Sequence, residues 1–157
     1  MFLPSWLCCY SPKTTPDTFV SIIPNPPPGK EPPTVLIIDD SLVYAKLVSK
    51  FMQKKGYNTM VAIDGQEGLE CIGTLYFDLV ISDIHMPKMD GLEFVKILRK
   101  KYQSAIPVLL YSTDIYQYNN AMLAGATDFI GKPFTREKLY DVVEKLITPL
   151  HIHSADK

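Results

Sequence analysis

The sequence predicts an α/β fold in which a five-stranded parallel sheet carries helices on both faces. Short continuous apolar runs alternate along the chain with longer segments whose apolar residues recur at helical spacing. Apolar runs without polar alternation are typical of strands that are buried on both faces of a parallel sheet. Residues able to do chemistry stand directly after several of these runs, which is where ligand sites lie in open α/β sheets.

The first strand is predicted at Val35–Ile38, and it is followed at once by the polar segment Asp39–Ser41. The next helix is predicted to end at Gly56, because glycine commonly follows the last helical turn. Its apolar residues are predicted to share one face, and they are Val43, Tyr44, Leu47, Val48, Phe51 and Met52. A second strand is predicted over Tyr57–Ile63.

The second and third helices are each predicted to begin at an aspartate that is followed three residues later by a glutamate. Asp64 and Glu67 mark the start of the second helix, and Asp90 and Glu93 mark the start of the third. This spacing is an aspartate version of the capping box, which satisfies backbone N–H groups at a helix start. The capping pattern therefore places two helix starts from the sequence alone.

The remaining strands are predicted at Leu79–Ile81, Ile106–Tyr111 and Thr127–Ile130. The fourth strand has its proline near the start, where the missing N–H is tolerated. A weak helix is predicted over Ile115–Ala124, with Tyr116 and Tyr118 near the surface and with Gly125 at its end. A final amphipathic helix, ended by Pro149, follows Lys132. Right-handed crossovers between five strand–helix repeats give the flavodoxin-like, doubly wound strand order 2-1-3-4-5.

The predicted folded domain spans residues 34–150. Residues 1–33 are rich in proline, threonine, serine and asparagine, a composition that favours a disordered arm of extended conformation. We interpret this arm as a linker in preference to a ligand for an SH3-like domain, and residues 6–9 as unstructured in preference to an acylation or docking site. Residues 151–157 are predicted to form a flexible tail.

The composition argues against several classes of function. Sixteen basic and 17 acidic residues give a net charge of −1, which offers no bulk attraction for nucleic acid or an anionic membrane. The three cysteines show neither a disulfide framework nor a zinc spacing, as expected in a reducing cytoplasm. No apolar run reaches membrane-spanning length, and the apolar N-terminus lacks the basic region of a signal peptide. We therefore expect a cytoplasmic protein without a transmembrane segment or direct contact with nucleic acid.

Polar side chains from four strand ends are predicted to meet at the carboxyl edge of the sheet. In the order 2-1-3-4-5 the ends of strands one, three, four and five lie together, and they carry Asp39, Asp40, Asp83, Ser112 and Lys132. Three crowded carboxylates repel one another, and a hard cation such as Mg²⁺ relieves that repulsion. Asp83 can then attack phosphorus, while Lys132 balances the charge of the phosphoryl oxygens and Ser112 donates to one of them. The pattern therefore indicates phosphoryl transfer to a carboxylate.

The segment Asp83–Pro87, followed by Asp90 and Gly91, resembles the phosphoacceptor region of the response-regulator receiver domain of two-component signalling. With the acidic pair after the first strand and the Lys-Pro pair after the fifth, the resemblance covers about residues 35–146, with all motifs in order. It implies that a histidine kinase or phosphotransfer protein phosphorylates the aspartate that ends the third strand.

The resemblance also implies how a cation is held. Mg²⁺ (or Mn²⁺) would be bound directly by Asp40 and Asp83, by the backbone carbonyl of His85, and by Asp39 mostly through water. A cis peptide bond before Pro133 is implied as well.

Regulatory roles follow from the same resemblance. His85 and Asp114 would border the path of attacking water and tune dephosphorylation, which is expected to be slow. Ser112 and Phe129 would form a switch that alters a face made of the fourth helix, the fifth strand and the fifth helix. The chain departs from common family residues at Ala45, often arginine, at Phe129, often tyrosine, and at Ser112, often threonine. None of these differences removes a phosphorylation residue.

Three interpretations compete. The leading one is a stand-alone phosphoacceptor switch rather than a turnover enzyme, with no effector domain after Leu150, acting on a downstream protein as a monomer or a phosphorylation-dependent dimer. A hydrolase of the haloacid dehalogenase kind also forms an aspartyl phosphate, but its Asp-x-Asp-x-Thr motif matches neither acidic segment. A receiver-shaped binding module that does not use phosphorylation is disfavoured by the intact acidic pocket and Lys132.

Overall fold

The computed structural model describes residues 32–151, with side chains described as far as Ile147. The predicted N-terminal arm and C-terminal tail therefore lie almost wholly outside the described residues. The strands are β1 Thr34–Ile38, β2 Asn58–Ala62, β3 Leu79–Asp83, β4 Val108–Ser112 and β5 Asp128–Gly131. The α-helices are α1 Leu42–Lys54, α2 Gly65–Thr74, α3 Gly91–Lys100, α4 Tyr118–Ala124 and α5 Arg136–His151.

The five strands form one parallel sheet in the order β2-β1-β3-β4-β5, which confirms the predicted fold class. Side chains alternate along each strand, so Leu36 and Ile38 pack with α2 and α3 while Val35 and Ile37 pack with α1 and α5. Two hydrophobic layers thus cover the two faces of the sheet. All strands run the same way, so their carboxyl ends meet at one edge.

Helix α1 turns a different face inward from the one predicted. The helix begins after Ser41, whose hydroxyl accepts the N–H of Tyr44 at 3.4 Å. The buried residues are Ala45, Val48, Ser49 and Met52. Val43 is 81% exposed and Leu47 is 42% exposed, so the prediction that both share the inner face was wrong. The apolar residues of α1 are spread over more than one face of the helix, and the sheet covers only the face that carries Ala45, Val48, Ser49 and Met52.

Two helix boundaries also differ from the predictions. The predicted helix Ile115–Ala124 is divided into a 3₁₀ turn, Ile115–Gln117, and the α-helix α4. Gly125, with φ of 105°, ends α4 as predicted. The prediction that Pro149 ends the last helix was wrong, because α5 continues to His151. A proline in a final turn removes only one N–H, and its fixed φ lies close to the helical value.

Candidate functional site

An acidic cluster lies at the carboxyl edge of the sheet. Asp39 follows β1, Asp40 follows it, and Asp83 ends β3. The three carboxylates offer ligand atoms that lie within 4.8 Å of one another. Asp39 and Asp83 are buried, whereas Asp40 is exposed. Topology therefore brings together three acidic side chains that two separate sequence segments supply.

The backbone around Asp83 is fixed by close contacts. The N–H of Ile84 donates to the carbonyl of Tyr111 on β4 at 3.1 Å, which continues the strand pairing past Asp83. The N–H of Gly91 donates to the carbonyl of Ile84 at 2.9 Å. A Cβ atom at position 91 would lie 2.3 Å from the Asp83 carbonyl oxygen, so only glycine allows the loop to close this tightly.

Lys132 approaches the acidic cluster from the end of β5. Its N–H donates to the carbonyl of Ser112 at 2.7 Å, and its Nζ lies 3.3 Å from Asp83 Oδ2 and 3.7 Å from Asp39 Oδ2. The Lys132–Pro133 peptide bond is cis, as the resemblance implied. One ammonium group is therefore shared between two buried carboxylates.

The electrostatics of the cluster favour a cation. Burial raises the pKa of the Asp83 carboxyl above its ordinary value, Lys132 lowers this pKa, and the nearby Asp39 carboxylate raises it again. Three carboxylates facing one lysine leave an excess of negative charge at the cluster. The donor set is made of oxygen atoms, which hard cations such as Mg²⁺ accept. The cluster can thus hold a metal ion, and its residues fit Mg²⁺.

The other predicted site residues lie around this cluster. Ser112 ends β4 with its hydroxyl buried, and that hydroxyl accepts the N–H of Asp114 at 3.0 Å. The Asp114 carboxylate accepts the N–H of Tyr116 at 3.0 Å and the side-chain amide of Gln117 at 3.2 Å, so it caps the 3₁₀ turn. His85 lies exposed in the loop after β3, where its side chain is accessible to solvent.

Phe129 occupies β5 in a half-buried position. Its ring meets the Tyr118 ring edge-on, with the two centroids 6.1 Å apart. Tyr116 is 86% exposed and Tyr118 is 49% exposed, which confirms the prediction that both lie near the surface. The 3₁₀ turn and α4 also carry exposed apolar side chains, namely Ile115, Met122 and Leu123. The 3₁₀ turn and α4 therefore present five exposed apolar or aromatic side chains within ten consecutive residues.

Two tyrosines belong to the site although the sequence analysis assigned them only to a strand and a helix. The Tyr111 hydroxyl donates to Asp39 Oδ2 at 2.5 Å. The Lys132 Nζ lies 4.4 Å from the centroid of the Tyr111 ring and 4.1 Å from that of the Tyr44 ring. The available signal was a tyrosine at the end of an otherwise aliphatic strand, because a buried tyrosine usually requires a hydrogen-bond partner.

A five-stranded flavodoxin-like sheet with an acidic cluster and a lysine at its carboxyl edge defines the receiver class of signalling domains. The family model of the response regulator receiver domain matches residues 35–144. The chain therefore belongs to the response regulator receiver domain family of two-component signalling. Phosphorylation on aspartate in the presence of Mg²⁺ is general in this family.

Relatives and solved structures agree with this assignment. The uncharacterized transcriptional regulatory protein YcbL of Bacillus subtilis is 33% identical over 124 residues, which are 78% of this chain and 54% of that protein. The transcriptional regulatory protein DltR of Streptococcus agalactiae is 35% identical over 106 residues, which are 67% of this chain and 47% of that protein. The chain thus spans about half the length of these two relatives.

Among the solved structures, the chemotaxis response regulator CheY4 of Vibrio cholerae is 35% identical with a TM-score of 0.68, covering 73% of this chain and 98% of that one. The receiver domain of the Francisella response regulator 1452 is 31% identical with a TM-score of 0.71, covering 76% of this chain and 99% of that one. Within the described residues, no helix has the length and hydropathy needed to cross a bilayer.

Proposed function

We propose that this chain is a phosphoacceptor receiver and that Asp83 is the residue that accepts the phosphoryl group. One observation carries the assignment: the Asp83 carboxylate lies within 3.3 Å of the Lys132 ammonium and inside a cluster of three carboxylates. Asp83 ends the central strand at the carboxyl edge of the sheet, where ligands bind in open α/β folds, and its side chain keeps 11% of its surface exposed. The proposed donor is a histidine kinase or a histidine phosphotransfer protein.

The proposed reaction forms one bond and breaks another. A carboxylate oxygen of Asp83 forms a bond to phosphorus while the bond between phosphorus and the donor's histidine nitrogen breaks, and the imidazole leaves. Bound Mg²⁺, held by Asp40, Asp83 and the His85 carbonyl, with Asp39 acting through water, would neutralise charge on the transferred oxygens. Lys132 offsets the same charge, and the Ser112 hydroxyl donates to a phosphoryl oxygen.

Phosphorylation by a small donor tests the proposal. With acetyl phosphate and Mg²⁺, intact-mass analysis should show one added phosphoryl group, and removal of Mg²⁺ with EDTA should abolish it. Asp83→Asn should remain unlabelled. Asp90→Asn is the matched control, because Asp90 caps α3 through the N–H of Glu93 and asparagine caps equally well. Labelling that persists in Asp83→Asn contradicts the site. A wild-type chain that acetyl phosphate does not label and beryllofluoride does not bind favours the non-phosphorylated binding module instead.

We propose further that His85 and Asp114 tune the lifetime of the aspartyl phosphate. The Asp114 carboxylate also caps the 3₁₀ turn, so alanine at this position removes two functions at once. His85→Ala and Asp114→Asn keep the turn, and together they should change the rate of phosphate loss severalfold. An unchanged rate in the double variant argues against the role.

The proposed output is a change at the surface around Phe129. Movement of the Ser112 hydroxyl toward the phosphoryl group would vacate space into which the Phe129 ring can turn, and packing alone would hold that inward state. The exposed apolar side chains of α4 then offer a partner a surface whose shape depends on phosphorylation. Amide spectra with and without beryllofluoride and Mg²⁺ should show shifts that extend from Asp83 to Phe129 and Tyr116. Shifts confined to the neighbourhood of Asp83 contradict the switch.

We also propose that the receiver acts as a stand-alone cytoplasmic protein that contacts a downstream protein. The match to CheY4 supports the stand-alone part of this proposal, since it covers 98% of that chain, whereas YcbL and DltR are about twice as long as the matched region. The intact mass of the protein isolated from the cells that express it tests the proposal. A mass near 17.7 kDa agrees with it, and a mass about twice as large contradicts it.

A further inference from the structure

Asp39 is held by hydrogen bonds at both of its carboxylate oxygens. The side chain is fully buried, the N–H of Ser41 donates to Oδ1 at 2.8 Å, and the hydroxyl of Tyr111 donates to Oδ2 at 2.5 Å. A carboxylate bonded at both oxygens cannot rotate without breaking one of these bonds. The Tyr111 hydroxyl is therefore one of two groups that set the direction of Asp39.

The ring of Tyr111 has a second contact that involves Lys132. The Lys132 ammonium lies 4.4 Å from the Tyr111 centroid and 4.1 Å from the Tyr44 centroid, within the range of a cation–π interaction. The two tyrosine rings touch each other, with centroids 5.6 Å apart, and Phe134 packs against both at 5.8 and 5.9 Å. We call Tyr44 and Tyr111 the tyrosine pair. Both rings of this pair lie against the Lys132 ammonium and restrict its position beside the carboxylates.

We propose that Tyr111 is a positioning residue of the phosphoacceptor site. Its hydroxyl orients Asp39 for the cation, and its ring, together with Tyr44, holds the Lys132 ammonium within reach of Asp83. The part that concerns Lys132 deepens the proposed function and rests on it. The part that concerns the cation requires only that the acidic cluster binds Mg²⁺.

The distances around Asp39 predict whether loss of the Tyr111 hydroxyl strengthens or weakens Mg²⁺ binding. Without the hydroxyl, the Lys132 ammonium, 3.7 Å away in the intact structure, is the remaining polar partner of Asp39 Oδ2 among the described residues. We expect the Asp39 carboxylate then to turn toward Lys132 and form a direct ion pair, because the attraction between two buried opposite charges strengthens as they approach. The oxygen turns away from the cation position, so Tyr111→Phe should weaken Mg²⁺ binding. The partners that orient metal ligands typically contribute at least tenfold to metal affinity, and we expect a loss of about tenfold.

Calorimetric titration of Mg²⁺ into the full chain measures this effect without phosphorylation. Tyr140→Phe is the matched control, because Tyr140 also uses its hydroxyl for a hydrogen bond, to the carbonyl of Phe51 at 2.8 Å, but lies on α5 away from the site. Tyr140→Phe should bind Mg²⁺ like the wild type. Equal affinities in Tyr111→Phe and Tyr140→Phe overturn the proposal for the hydroxyl.

A second variant separates the ring from the hydroxyl. Tyr44→Leu removes one ring of the tyrosine pair but leaves the bond between Tyr111 and Asp39, so Mg²⁺ affinity should stay at the wild-type value. The rate of labelling by acetyl phosphate at saturating Mg²⁺ should fall severalfold, because the ammonium of Lys132 is less confined. Tyr111→Phe keeps the ring and removes the hydroxyl, so the Mg²⁺ concentration that gives half of the maximal labelling rate should rise about tenfold in this variant and stay at the wild-type value in Tyr44→Leu.

The outcomes distinguish this proposal from the proposed function. A role that is only structural would lower the unfolding temperature of both variants and leave the Mg²⁺ dependence unchanged, which overturns the proposal. If the wild type is never labelled while Tyr111→Phe still loses Mg²⁺ affinity, the proposed function fails and the role of Tyr111 in orienting Asp39 stands. If Tyr111→Phe does not fold, the Tyr44→Leu result decides the ring contribution, and an unchanged labelling rate contradicts it.

Discussion

The Asp83 carboxylate is less favourable in the folded chain than in water. Burial raises its pKa, and the carboxylate of Asp39 raises it further, while the ammonium of Lys132 at 3.3 Å offsets only part of this effect. A raised pKa means that the folded state binds a proton at this residue more tightly than the unfolded state does. The charged form of Asp83 therefore destabilises the folded chain when no cation is bound.

We predict that Asp83→Asn stabilises the chain at neutral pH in EDTA. Below the unfolded-state pKa, Asp83 is protonated in both states and the two proteins should differ little. As pH rises toward the raised folded-state pKa, the wild type loses stability, whereas Asp83→Asn has no carboxyl at this position to titrate. The stability of the variant relative to the wild type should therefore increase with pH. Thermal unfolding of both proteins at about pH 3 to 8 measures this difference. Asp90→Asn, at an exposed capping position, should show no such growth.

If Asp83→Asn is more stable than the wild type by the same amount at every pH, the stabilisation comes from packing of asparagine and not from removal of the charge. Addition of Mg²⁺ should reduce the difference, because a cation at the acidic cluster compensates the wild-type carboxylate. The charged form of Asp83, the proposed nucleophile, thus lowers the free energy of unfolding of the chain. A loss of stability of this kind is common for residues of functional sites.

At the scale of elements, the end of α3 is joined to its neighbours by Arg99. Arg99 begins the basic run Arg99–Lys101 at the end of α3, where positive charges complement the helix dipole. In the structure its half-buried guanidinium donates to the carbonyls of Gly125 at 2.9 Å, Ser104 at 2.7 Å and Ile106 at 2.8 Å. Arg99 therefore connects the end of α3, the end of α4 and the segment that leads into β4.

We predict that Arg99→Lys destabilises the chain by about 1–3 kcal/mol, the usual effect of leaving a buried polar group unsatisfied. Lysine keeps the charge but lacks the planar fork that reaches three carbonyls at once. Lys96→Ala, an exposed substitution on the same helix, should change the unfolding free energy by less than about 0.5 kcal/mol. Urea unfolding of the three proteins provides the comparison. A loss in Arg99→Lys no larger than that in Lys96→Ala would mean that the charge of residue 99, which lysine keeps, is sufficient and that the three carbonyl contacts contribute little.

At the scale of the whole molecule, the first strand marks where the folded unit begins. The N–H of Asn58 donates to the carbonyl of Pro33 at 2.8 Å, and its side-chain amide donates to the carbonyl of Pro32 at 3.4 Å. The N–H of Thr34 donates to the Asp78 carboxylate at 2.7 Å. These bonds connect the start of β1 to β2 and to the residue before β3. Pro32 and Pro33 contribute the carbonyl groups that Asn58 bonds.

We predict that a chain beginning at Pro32 folds and accepts the phosphoryl group as the full chain does, because it keeps these bonds. Its free energy of unfolding should lie within about 0.5 kcal/mol of the full-length value. A chain beginning at Val35 is the control, since it lacks the donors and acceptors of residues 32–34 and should be measurably less stable. A marked loss of stability in the chain beginning at Pro32 would show that residues 1–31 pack on the domain.

The sequence by itself determined the features that depend on neighbouring residues. Asp64 and Asp90 were predicted as helix caps, and each accepts the N–H of the glutamate three residues later at 2.8 Å. Gly56 and Gly125 were predicted to end helices, and both have positive φ. The apolar runs predicted β1, β3 and β4, because burial on both faces removes the polar alternation from the sequence. The two edge strands, β2 and β5, are only partly buried and carry polar residues. Alternation of strands with helices then determined the strand order.

Only the tertiary structure decided which groups meet across the sheet. Tyr111 and Asp39 are separated by 72 residues. Tyr111 lies on β4, Asp39 directly follows β1, and β3 lies between these strands, so their hydrogen bond depends on the register of three strands. The exposure of Val43 and the three carbonyl partners of Arg99 likewise depend on how helices pack against distant segments. Local periodicity specifies an element and its apolar residues, whereas packing selects the face that is buried and the partners that polar groups find. For that reason the acidic cluster was predictable from strand ends, and the tyrosine pair that surrounds Lys132 was not.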